Sequence, residues 1–268
     1  FWILYFQNFG SVLWYLRDFV DREPVSAAVT GLLAAIGLDV RFTFDAEHVT
    51  VINAGTIILL QVLVSRLVAK RKALPTMVTG MAMGAVGFVL LASSFNPWVF
   101  ILGIAVFSIG EMTAHPKYYS FVGLVAPADR KAVYMGYAFL YGVFGSLLGS
   151  NLGAFLYERM LAPVVGTEAA AGRTTLFWTL FAVLDVIAVV GLILFARAFG
   201  EDTPDTRRRA RSAMFGVYGL ILLLGLAFAV FAFTSDPIQV RTAVQSLIFL
   251  ALGGGGLAVN ARGGRSAS

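Results

Sequence analysis

Apolar runs of about 20 residues recur along this chain, and no other feature restricts its fold as strongly, because that is the length at which an α-helix crosses the hydrocarbon core of a bilayer. The sequence predicts eight such spans: Phe1 to Leu16, Val49 to Val68, Pro75 to Ser94, Trp98 to Leu124, Val133 to Tyr157, Thr174 to Ala196, Ala213 to Phe233 and Thr242 to Asn260. With 59% hydrophobic and 13% charged residues, against roughly 45–50% and about 25% in soluble domains, the excess apolar surface belongs against lipid. The expected fold class is all-α, a polytopic membrane helix bundle, placed in an integral, multi-pass setting.

Charge placement sets the expected orientation. Arg66, Lys70, Arg71, Lys72, Arg130, Lys131, Arg197, Arg207, Arg208, Arg209, Arg211, Arg262 and Arg265 fall on one side of the alternating spans, whereas Arg17, Arg22, Arg41, Arg159, Arg173 and Arg241 fall on the other. The richer side is read as cytoplasmic. The segment from Asp18 to His48 then lies outside, its mildly apolar part resting along the surface as a short helix. The net charge of +5 is accounted for by these clusters, and no nucleic-acid partner is expected.

Several chemistries lack their residues. There is no cysteine, which removes disulfides and thiolate metal sites. No HExxH, GxSxG or GxxxxGK[ST] pattern occurs, so an enzyme is not expected, and neither a cofactor nor a metal is called for. Phe1 opens inside an apolar run without a basic leader, so the start is read as internal to a longer protein and not as a signal peptide.

The polar exceptions inside the spans carry the functional reading, since an ionised group at mid-bilayer costs about 2.5–3.5 kcal/mol on insertion scales. Glu111 lies halfway along the fourth span with His115 one turn later on the same face, and His115 is suited to share a proton with it. Pro116 frees the carbonyl of Met112, a break tolerated chiefly where a helix lines a cavity. Lys117 either faces that cavity or snorkels toward the cytoplasmic interface. Asp185 has only apolar neighbours in its own span and is expected to pair with another helix. Gln7, Asn8, Asn53, Gln61 and Asn151 are neutral amides that either bond between helices or face a cavity. Gly145, Gly149 and Gly153 recur every four residues and predict close helix packing.

Taken in order, FWILYFQNFGS, INAGTIILL and GEMTAHPKYYSFVGLVAPADRKAVYMGYAFL resemble the seventh, eighth and tenth to eleventh helices of proton-dependent oligopeptide transporters, a family of the major facilitator superfamily. The resemblance runs from Phe1 to Arg197. It implies a C-terminal six-helix half over residues 1–197, a basic cytoplasmic linker over 198–212, and an additional two-helix hairpin and tail over 213–268. It also implies a missing N-terminal six-helix half as partner, with a small-molecule solute and protons as cargo and a bacterial inner membrane as the location. By the same likeness Glu111 is the carboxylate that binds a peptide's amino terminus. Asn53, Gln7, Trp2 and Lys117 complete the substrate set, and Glu111 with His115 couples the proton.

Phe6 stands where many members of that family carry a glutamate, His115 where a serine is common, Lys117 where a glycine is, and Ala138 where a tryptophan is. These positions leave two further readings: a facilitator-superfamily transporter of a non-peptide solute, and a non-transporting membrane scaffold that docks a partner through the last two helices.

Overall fold

A computed structural model describes residues 1–199, 204–235 and 239–262. Among these residues every regular element is helical, and seven helices are long and apolar enough to cross a membrane, so the chain is a multi-pass membrane protein. The helices are α1 (Trp2–Tyr5), α2 (Ser11–Asp18), α3 (Glu23–Ala35), α4 (Glu47–Val68), α5 (Ala73–Ser93), α6 (Pro97–Val125), α7 (Lys131–Ala138), α8 (Leu140–Met160), α9 (Ala170–Phe199), α10 (Pro204–Thr234) and α11 (Val240–Arg262). They divide into two compact units, Phe1–Leu194 and Phe195–Ser268.

The first expected span differs from the structure. It is not one helix: α1 passes into a 3₁₀ turn over Phe6–Phe9 and breaks at Gly10, whose φ of −149° and ψ of −93° are not helical. The break follows from a local substitution of partners. Gln7 donates from Nε2 to the Ile3 carbonyl at 3.0 Å and to the Gly149 carbonyl at 2.9 Å, and its Oε1 accepts the Ser11 hydroxyl at 2.8 Å. One side chain thus ties α1 and α2 to each other and to α8.

Glycines on α8 make that joint possible. A Cβ on Gly149 would lie 2.5 Å from the Ile3 carbonyl oxygen, and one on Gly153 would collide with the Gln7 amide. The four-residue glycine repeat therefore works as close helix packing, without the hydrophobic drive available in water. The α5/α6 seam uses the same device: Cβ atoms on Gly80 and Gly110 would each come within 2.5 Å of the other's carbonyl oxygen.

At the end of the bundle where α5 finishes and α6 begins, rings fill the space. Trp178, Phe177 and Phe181 of α9 meet Phe88 of α5, Phe100 of α6 and Tyr15 of α2, all of them buried. The Tyr15 hydroxyl donates to the Leu91 carbonyl at 3.1 Å, which satisfies its one polar atom.

In the second unit, Gly225 and Gly253 let α10 and α11 approach closely, against Leu250 and Leu222 respectively. Arg211 donates to the Asn260 carbonyl at 3.0 Å while the Asn260 amide donates to the Arg211 carbonyl at 3.1 Å. Of the expected basic linker, residues 200–203 lie outside the described residues, and Arg208, Arg209 and Arg211 belong to the first turns of α10. Arg265 and the rest of the tail also lie outside the described residues.

Candidate functional site

The site is built on α6 and the helix beside it, α4. Pro116 lies inside α6, which runs on to Val125; the proline lacks an N–H, so the Met112 carbonyl loses its helical donor. Next to that carbonyl a cavity of about 110 Å³ is lined by Ile57 and Gln61 of α4 and by Glu111, Met112, His115 and Pro116 of α6. The helical spacing of Glu111 and His115 places both on this wall.

Glu111 is only 8% exposed. Asn53 holds it from α4: its Nδ2 donates to the Ser108 hydroxyl at 2.8 Å and to Glu111 Oε2 at 3.3 Å. The Ser108 hydroxyl donates its hydrogen bond to the Ile104 carbonyl at 2.8 Å, so its oxygen is free to accept from Asn53. The Tyr5 phenol interacts with the same carboxylate. All these partners are neutral, and among the described residues no cationic side chain pairs with Glu111. A carboxylate so held leaves its charge to be cancelled by something that arrives, either a proton or a cationic group.

His115 is half-buried beside it. Its Nε2 lies 2.8 Å from the Tyr141 hydroxyl, and its ring sits edge-on to Trp2 at 4.7 Å and beside Tyr119 at 5.2 Å. Trp2 in turn stacks on Tyr141 at 4.1 Å. Trp2 and His115 are therefore one aromatic group, carried by α1, α6 and α8, at the edge of the cavity.

Two expected substrate residues are placed elsewhere. Gln7, 1% exposed, spends its amide on the α1–α8 joint and not on the cavity. Lys117, 9% exposed, donates from Nζ to the Arg71 carbonyl at 2.8 Å and to the Ala69 carbonyl at 3.2 Å. It bonds the C-cap carbonyl of α4 at Ala69 and a carbonyl of the turn that follows at Arg71, a place where unpaired carbonyls and the helix dipole favour a cation. This is the snorkelling alternative, with backbone oxygens in place of water.

Asp185 also departs from expectation. It is fully buried, yet neither carboxyl oxygen has a hydrogen-bond partner, so the helix-to-helix pairing expected from the sequence is absent among the described residues. Three contributors to the site were not singled out from the sequence: Ser108, Tyr5 and Tyr141. Ser108 was open to notice, three residues before Glu111 on one helix face. The two tyrosines reach the site only through tertiary contacts. Comparison of the chain with protein-family models, with curated proteins and with solved structures finds no match.

Proposed function

We propose that this chain is the C-terminal six-helix half of a major-facilitator transporter similar to the proton-dependent oligopeptide transporters, extended by two membrane helices. On this reading the whole protein carries a peptide or a similar small zwitterionic solute together with protons across a bacterial inner membrane. The observation that carries it is Glu111, a carboxylate buried at mid-span on a cavity wall with neutral partners alone.

The mechanism follows from the unpaired charge. With neither a proton nor a solute, Glu111 is an anion in a low-dielectric wall, which favours an arrangement of the helices that lets water reach it. A proton on Glu111, or a substrate ammonium against it, removes that constraint and favours the closed arrangement. Only such a difference in affinity between two states shifts their populations. Asn53 keeps the carboxylate oriented in both, while Trp2 and Tyr141 supply an apolar face beside it and His115 offers a second acceptor for the proton. The cavity is one wall of a site that a second bundle closes, as in transporters whose substrate lies between two halves.

The test is pH-gradient-driven uptake of dipeptides by the full-length protein in proteoliposomes. Glu111→Gln should lower uptake to the level of empty vesicles while leaving the folded protein intact. Undiminished gradient-driven uptake by that variant defeats the reading.

A further inference from the structure

Asp185 is a fully buried carboxyl that the Glu111 mechanism does not use. It lies on α9, several of whose side chains face outward: Val183, Val186, Ile187 and Val190 are all exposed. Asp185 alone among these neighbours is ionisable, and it is turned inward with 0% exposure.

The carboxyl sits in a notch. Across from it on α5 is Gly84, where a Cβ would lie 2.6 Å from Asp185 Oδ2; the rings of Phe1 and Phe107 come to 3.5 Å of that same Cβ position. The absence of a side chain at residue 84 is what makes room for the acid group. α5 therefore offers it a glycine, α6 a phenylalanine and α1 the Phe1 ring. Among the described residues no side chain donates a hydrogen bond to the carboxyl or forms an ion pair with it.

A charged carboxylate in this notch would lack hydrogen-bond and ion-pair compensation from the described residues, which disfavours the ionised form. Three ligands can relieve it. Among the described residues no cationic side chain pairs with it. A metal ion needs several oxygen donors, and a single carboxyl amid phenyl rings does not supply them; no cluster of three metal-ligating side chains occurs among the described residues. A proton needs no further ligand.

We infer that Asp185 is a second proton-binding site, loaded in this arrangement of the helices and separate from the cavity at Glu111. Because the proton leaves only when water reaches the notch, loss of it goes with withdrawal of α9 from Gly84, and its binding clamps α9 on α5. Asp185 and Glu111 lie on different helices with different surroundings, so this site stands whether or not the transport reading does.

Infrared spectroscopy of the full-length protein in detergent, with isotope-labelled aspartate side-chain carboxyls, reads the protonation state without any substrate. At neutral pH the expected result is a carboxylic-acid C=O band that carries the aspartate isotope shift, vanishes in Asp185→Asn and persists in Glu111→Gln. Asp185→Glu serves if the asparagine variant does not fold, since the acid band must then leave the aspartate-labelled set. A spectrum showing only ionised aspartates, or an acid band unchanged by both Asp185 substitutions, overturns the inference.

Discussion

Around Trp178 the helices meet through rings, and around Glu111 they meet through directed hydrogen bonds beside an unfilled volume. Trp178 touches Tyr15, Phe88, Phe177 and Phe181 with ring centroids 4.9–5.9 Å apart, and this cluster is closed. Glu111 and His115 touch an amide, phenols and a cavity. Rings have no fixed partner atoms and can settle until space is filled. Hydrogen bonds fix distances and directions, so the helices carrying Asn53, Glu111 and Tyr141 are held at a spacing that leaves room. In lipid, where apolar surface gains nothing by leaving its surroundings, close packing is what separates a stable region from a usable one.

The largest expected effect tests the closed side. Trp178→Ala should destabilise the protein by about 3 kcal/mol or more, through the void it leaves, as a lowered unfolding midpoint in detergent. Trp178→Phe should lose much less, because the buried indole N–H has no acceptor among the described residues and its removal strands nothing. Glu111→Gln should leave the midpoint close to the wild-type value. If Trp178→Ala and Glu111→Gln destabilise equally, the contrast between the two regions is lost.

A smaller effect is expected where α6 leaves the cavity. Lys117→Met keeps most of the apolar stem but removes the donor to the Ala69 carbonyl at the C-cap of α4 and to the Arg71 carbonyl in the turn after it, a loss of about 1–2 kcal/mol. Placed as it is, Lys117 should change stability and leave the solute concentration for half-maximal uptake unaltered. A raised concentration with an unchanged unfolding midpoint would return Lys117 to the binding site.

Parts of this were legible in the sequence for a definite reason. A membrane span announces itself by uninterrupted apolarity, a local property, and the seven long helices were read on that ground. Glu111, His115 and Pro116 were also local: one helix, one turn, one missing N–H. What escaped was set by distant partners. The carbonyl that takes the Gln7 amide is 142 residues away, and those that take Lys117 are 46 and 48 residues away. Nothing near Gln7 in the sequence says that its span breaks at Gly10, and nothing near Asp185 says that α5 opens a notch for it at Gly84. The ends of helices and the assignment of polar groups depend on which backbone is left wanting, and that is known only once the helices are assembled.

The smallest effect lies at the far end of α2, beyond the spans, and asks whether charge matters outside the bundle. Arg17 donates to both oxygens of Asp18, from Nε to Oδ1 at 2.6 Å and from Nη2 to Oδ2 at 2.7 Å, and the Tyr157 hydroxyl of α8 donates to Oδ2 as well. The Arg17 hydrogen bonds hold the Asp18 carboxyl below its ordinary pKa, against a smaller opposing effect of burial. A carboxyl whose folded pKa is depressed contributes stability above its unfolded value and loses it as pH falls through the folded one. The α2–α8 tie should therefore be fully present at neutral pH and fade in acid. Solvent screening around the exposed guanidinium keeps the contribution below about 1 kcal/mol. Unfolding midpoints of wild type and Asp18→Asn, followed from neutral pH downward, should differ most at the neutral end and converge in acid, where both side chains are uncharged. A gap that stays constant with pH would assign the tie to the Tyr157 hydrogen bond alone, and the ion pair would then add nothing to the packing that joins these two helices.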